Sequence, residues 1–242
     1  MGNKIHPIGF RLGPVYTWTS RWFADQKQYK KLLLEDVKIR TSLMAKLKMA
    51  AIARVEIERS INRISITVFV ARPGVVIGRG GTGLEDLKKY ITTRLLKPGA
   101  GDKNAPKIDI RVEPVKEPNL DAQLVAVNIA DQLAKRMPAK RIIKQSIERV
   151  MTAGAKGVRI RIGGRINGAE IARVEHDQAG IVSLSSIKEK IDFAAVPAYT
   201  RSGYIGVKVW ISLPQDKSLR SSAFSQPAAD SLVSFHKPVS GI

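Results

Sequence analysis

The chain has 242 residues, with 41 Lys plus Arg against 21 Asp plus Glu, a formal net charge of +20. That excess is the electrostatic footprint of a protein that meets polyanion, and a hydrophobic fraction of 44% is enough to bury real cores. The absence of cysteine excludes disulfides and thiolate metal sites, His6, His176 and His236 lie too far apart to suggest zinc, and no apolar run is long enough to span a bilayer.

Residues 1–25 read as an irregular basic arm carrying Trp18, Trp22 and Phe23. These aromatics either anchor the arm to its own fold or stand ready to stack on RNA. No signal-peptide hydrophobic region follows Met1, so the expected compartment is the cytoplasm, or the matrix or stroma of an organelle. From Gln26 to Ala50 the apolar spacing is helical, with Leu32, Leu33, Val37, Leu43 and Leu47. Val55 to Glu58 and Ile64 to Val70 alternate as strands, and the short link between them predicts a hairpin. Val75, Val76 and Ile77 predict a single helical turn running into Gly78, Arg79, Gly80 and Gly81. A helix over 83–96 follows, with Leu84, Leu87, Ile91 and Leu95 on one stripe. Thr82 and Glu85 look like a capping box at its start. Ile108 to Val112 reads as a strand, and Pro114 to Pro118 as a hinge.

The second half predicts helices over 120–136 and 138–153, then strands at Val158–Ile162, Ile171–Val174, Ile191–Val196 and Ile205–Ile211. The expected fold class is α+β. An N-terminal unit over 26–114, ordered α-β-β-α-α-β, precedes a unit over 119–212 of two helices on a mostly antiparallel sheet. Residues 213–242, rich in Ser, Ala and Pro, read as a mobile tail.

The glycine run satisfies two patterns. As Gly78-x-Gly80-x-x-Gly83 it is a dinucleotide fingerprint, which needs a strand running straight into the glycines. Here Pro73-Gly74 intervenes, and the preceding strand is already paired as a hairpin. As Gly78-x-x-Gly81 it is the phosphate clamp of a KH domain, and the element order resembles the type II KH arrangement. Glycine admits RNA backbone closely, the following helix N-terminus favours phosphate, and Arg79 adds a cation. Val75, Val76 and Ile77 would lie beneath the bases, fill the core, or do both.

Between Leu133 and Arg165, ten cations face one acid, Glu148. At about 100° per residue, Lys140, Arg141 and Lys144 share a third of their helix. Three converging cations without acids repel one another unless phosphate is near, so this face is expected to contact RNA backbone. The expected RNA-binding set is Gly78, Arg79, Gly80, Gly81, Lys135, Arg136, Lys140, Arg141, Lys144, Arg159, Arg161 and Arg165. No catalytic residues, cofactor or metal are expected.

Several motifs in register resemble the family of protein three of the small ribosomal subunit. They are Lys4 to Gly13, Trp18, Ser20 to Ala24, Val76 to Gly81, Gly154 to Arg165, Gly168 to Arg173, and Gly206 to Ile211. The resemblance covers about residues 1–212. It implies binding to rRNA in the head of the small subunit, and contacts with small-subunit proteins ten, fourteen and two. It also implies a role with proteins four and five in lining the channel by which mRNA enters. The family's mRNA-unwinding cluster falls on Lys140, Arg141 and Lys144. Lys140 stands where the family pattern often has Arg, which keeps the charge but loses the bidentate fork. The alternatives are a free-standing KH-domain RNA chaperone or regulator and a dinucleotide-dependent enzyme.

Overall fold

A computed structural model describes residues 4–60, 63–96 and 107–214. The described residues form two four-stranded sheets, each with its own hydrophobic core. After a helical turn α1 (Pro7–Phe10) and a short strand β1 (Ser20–Arg21) come α2 (Gln26–Lys46), β2 (Ile52–Ser60) and β3 (Arg63–Val70). Then follow α3 (Pro73–Ile77), α4 (Thr82–Tyr90) and β4 (Lys107–Pro114). The sheet order is β1-β2-β3-β4, with β2 and β3 antiparallel and β3 and β4 parallel. Strict alternation in Ile64, Ile66, Val68 and Val70 turns every second side chain of β3 inward, where Ile39, Leu43 and Ile91 close the core. This is the α-β-β-α-α-β order of a type II KH unit. β2 and β3 pair up to Ser60 opposite Arg63.

Besides the β1–β2 pairing, two side-chain clusters fix the arm to the folded body. Trp22 donates its indole N–H to Asp36 Oδ2 at 2.8 Å, and the buried Asp36 also takes a 2.6 Å ion pair from Arg59. Arg11 is completely buried. Its guanidinium donates to the carbonyls of Pro7, Ser183, Leu184, Ser186 and Glu189 at 2.6–3.2 Å. Thus Trp22 anchors the arm to its own fold, whereas Trp18 and Phe23 remain exposed.

The second sheet, ordered β6-β5-β8-β7, is wholly antiparallel. It comprises β5 (Gly157–Gly164), β6 (Arg173–Gly180), β7 (Ile191–Thr200) and β8 (Gly203–Ser212). Helices α5 (Ala122–Ala134) and α6 (Ala139–Thr152) cover one face. Ile129, Ile142 and Ile147 meet Ile160, Ile162 and Val207 there. Asp121 caps α5 by accepting from Leu124 N at 3.0 Å, and Asp192 reaches across from β7 to accept from Ala122 N at 2.7 Å. Burial, reinforced by the charge of Asp192, pushes the Asp121 carboxyl up to about 6.

Two local expectations are corrected. Helix α4 begins at Thr82 with Gly81 at the N-cap, so Thr82 is not the cap. Gly81 takes that place because the tight α3–α4 joint needs its left-handed φ of 82°. The expected strand at 171–174 lies instead at Arg173–Gly180, with Ile171 outside it and exposed. β6 is an edge strand paired only with β5, so it owes its formation to backbone pairing and lacks an apolar stripe. Of the tail, 215–242 lies outside the described residues.

Candidate nucleic-acid interface

The glycine loop joins α3 to α4 rather than β3 to a helix, so no strand delivers the glycines and the dinucleotide reading fails. Gly78, Gly80 and Gly81 all have positive φ, at 70°, 64° and 82°. A side chain added at Gly80 or Gly81 would meet nothing within 4 Å, so the outer surface of the turn is open. Gly83 serves packing instead: its added Cβ would lie 2.5 Å from Val76 O. The apolar triplet divides its labour, with Val76 in the core and Val75 and Ile77 exposed beside the loop. The Arg79 side chain lies outside the described residues.

The cations of the second half fall on separate surfaces. Lys140, Arg141 and Lys144 are exposed on α6, opposite the buried Ile142, Ile143 and Ile147. Lys135 is exposed at the end of α5. Arg136 and Arg165 converge on a pocket of about 520 Å³. Arg201, on the turn between β7 and β8, completes a three-arginine lining that contains no acid. Arg159 and Arg161 lie elsewhere. They alternate with Val158, Ile160 and Ile162 along β5, so they face away from the helices. On that open face Arg161 is paired in register with Lys208, and Arg159 with Trp210.

Arg136 occupies an unusual backbone position. The N–H groups of Arg136 and Met137 donate to Leu133 O and Gln132 O, the paired bonds of a Schellman C-cap. The C′ residue of that motif adopts left-handed φ and is usually glycine; here it is Arg136 at 62°. The conformation aims a guanidinium at the pocket at a local backbone cost.

Among the described residues, none of Lys135, Arg136, Lys140, Arg141, Lys144, Arg159, Arg161 or Arg165 forms an ion pair. Arg165 does bond the Ala169 carbonyl at 2.8 Å, and Arg159 lies 5.7 Å from the Trp210 ring centroid. Sequence periodicity missed Arg201 and Lys208. Strand pairing and the β7–β8 turn bring them in, and neither leaves a signal within one segment.

Two family models match the chain. The one described as KH domain covers residues 38–120, and the one described as Ribosomal protein S3, C-terminal domain covers 129–211. Curated relatives align over nearly all of it. The small ribosomal subunit protein uS3 of Lysinibacillus sphaericus is 44% identical over 223 residues, 90% of this chain and 98% of the relative. The uS3 of Caldicellulosiruptor saccharolyticus is 46% identical over 211 residues, 87% of this chain and 91% of the relative. That of Hydrogenovibrio crunogenus is 44% identical, covering 87% and 89%.

Proposed function

The chain belongs to the uS3 family of small ribosomal subunit proteins, and from that premise we propose that its free cations hold rRNA in the subunit head and line the channel by which mRNA enters. As a family member it is an RNA-binding structural constituent of the ribosome and not an enzyme. In the finer reading, residues 26–114 act as the KH unit and 119–212 as the ribosomal C-terminal unit. The open turn Gly78-Arg79-Gly80-Gly81 takes RNA backbone. Lys140, Arg141 and Lys144 hold mRNA phosphates at the entrance, aided by Lys135, Arg136 and Arg165. The work of unwinding comes from translocation: the cations grip one strand while the ribosome pulls it. Small-subunit proteins ten, fourteen and two are its neighbours in the head, and four and five stand beside it at the entrance. The expected compartment is the cytoplasm, as part of the ribosome.

The observation that carries this reading is the group of exposed cations on α6 with no acid bridged to any of them among the described residues. A surface helix ordinarily mixes signs, and phosphate is the partner that such a face suits. The second α+β unit, with its own family match at 129–211, speaks against a free-standing KH regulator. The test is translation through stable mRNA hairpins by ribosomes carrying Lys140→Gln, Arg141→Gln and Lys144→Gln together. Slowed transit is expected, and unchanged transit removes the entrance role. Loss of the chain from small subunits in a high-salt gradient would remove the ribosomal one.

A further inference from the structure

The face of the second sheet turned away from α5 and α6 has an organisation that its helix-covered face lacks. Register places Arg159, Trp210 and Phe193 side by side in one row across the strands. The next row holds His176, Arg161 and Lys208. In the row after that Gly163 stands opposite Gly206, with Val174 and Pro197 at its two ends. Tyr199 and Tyr204 form the last row at the hairpin end, their rings 5.3 Å apart and each residue 71% exposed. None of the paired positions on this face carries Asp or Glu. The arm, from Lys4 to Phe10, walls a cavity over the first two rows that reaches Arg161 and Lys208, and His6 meets Phe193 edge-on at 5.0 Å. The Tyr199–Tyr204 end lies outside that cavity.

The two glycines are not explained by the fold. Neither has positive φ. An added Cβ at Gly163 would meet only Val174 Cγ2 at 3.7 Å, and one at Gly206 only Gly163 O at 3.8 Å. Both sites could hold a side chain, and glycine inside a strand weakens it. Glycine kept in a strand without a conformational or packing need marks a place where another group approaches the backbone.

We infer that this face is a platform for single-stranded RNA: bases stack on the Tyr199–Tyr204 end, and the backbone crosses at the side-chain-free Gly163–Gly206 pair, between Val174 and Pro197. Its phosphates meet Arg161 and Lys208. The face is cationic and acid-free, so its occupant is a polyanion. Exposed rings beside cations suit unpaired bases, which every aromatic face can stack. From the Phe193 row to the Tyr199 row is roughly 20 Å at about 3.4 Å per residue, room for the two or three bases that a four-stranded sheet takes elsewhere. The inference extends the phosphate-binding reading of Arg161 and rests on the chain being an RNA binder, but it is independent of the α6 face.

The test uses the full chain and two fluorescent probes, a short oligouridylate and an RNA duplex. Tyr199→Ala with Tyr204→Ala should weaken oligouridylate binding by roughly tenfold or more, the loss expected for base stacking, with duplex affinity unchanged. Tyr199→Phe with Tyr204→Phe should bind like the parent, because the rings remain. Gly206→Val should keep or raise the melting temperature and still weaken oligouridylate. Equal oligouridylate affinity in the Tyr→Ala pair overturns the proposal even where the α6 variant binds less, and leaves the α6 reading standing. In assembled subunits, a bromouridine-free photoprobe at position 204 that crosslinks only to protein also overturns it and gives the face to a protein partner. Absence of all RNA affinity in the parent chain overturns both readings.

Discussion

Replacing Arg11 by Met should release the arm from the second sheet. Met matches most of the side chain's length but donates no hydrogen bond. Five carbonyls lose their donor, four of them in the loop between β6 and β7 at Ser183, Leu184, Ser186 and Glu189. Hydrogen bonds from a charged donor contribute about 1.5–3 kcal/mol each. Because three nitrogens serve all five acceptors, and because an opened loop regains water, the sum is well below five times that figure. We expect roughly 3–5 kcal/mol, about what two such bonds contribute. Two-state unfolding is not assured in a chain with two cores, so hydrogen exchange read by mass spectrometry is the suitable assay. Peptides covering 4–16 and 181–190 should lose protection together, while α2 and β3 keep theirs. Protection of both segments within about 1 kcal/mol of the parent, against the expected size of the effect, would refute the idea that Arg11 is the clamp.

Removing the three α6 charges, by Lys140→Gln, Arg141→Gln and Lys144→Gln, should reduce the slope of log K against log salt by about 2 for single strands, from about 0.7 per phosphate contact. Anisotropy titrations across a salt series check this, and an unaltered slope excludes phosphate contact there. Arg136→Gly should raise stability by about 1 kcal/mol, because the left-handed position no longer carries a Cβ, yet weaken RNA binding. Thermal melts and anisotropy on the same variant read both effects, and a less stable variant would remove the strain argument. Asp121→Asn retains an N-cap acceptor and removes a carboxyl pushed up from 3.8 to about 6. The native state holds that proton more tightly than the unfolded chain, so its stabilisation is full below pH 3.8 and is lost as pH rises through about 6. At about 1.4 kcal/mol per pH unit, the variant should gain roughly 3 kcal/mol on the parent between those limits. Urea unfolding at several pH values measures it, and parallel pH profiles would refute it.

What was legible in the sequence follows the range of the interaction concerned. The β2–β3 hairpin was readable because alternation and a short turn act within a few residues. The glycine turn was readable because positive φ excludes most other residues. Lys140, Arg141 and Lys144 could be grouped because one helix fixes their angles. The edge strand β6 was misplaced because backbone pairing to β5 forms it, and its side chains carry no period. Arg11 reads in sequence as one more solvated cation. Four of its five partners are main-chain carbonyls more than 170 residues away, which have no side-chain signature. Arg201 and Lys208 were missed for a related reason: periodicity tells which face a residue takes, and only register tells what stands beside it.

The net charge of +20 is therefore unevenly available. In the N-terminal sheet, arginines are engaged by the protein's own carboxylates. Arg59, its side chain only 7% exposed, meets Asp36 and Glu35; Arg21 meets Glu56 and Glu58; Arg63 meets Asp109. Arg59 has exchanged water for an internal partner; Arg21 and Arg63 remain about half exposed, but the carboxylates beside them offset their field toward a phosphate. On α6, in the three-arginine pocket and on the open sheet face, no described carboxylate plays that part. Among the sheet arginines, counterion release on RNA binding should therefore come mainly from the second half of the chain, while the glycine turn of the KH unit contributes open backbone at Gly80 and Gly81. Neutralising Arg21 or Arg63 should barely alter the salt dependence of RNA binding, whereas neutralising Arg161 and Lys208 should lower it by about 1.4 on a single strand, about 0.7 for each contact. Equal effects from the two pairs, read in the same anisotropy series, would show that internal ion pairing does not decide which cations reach RNA.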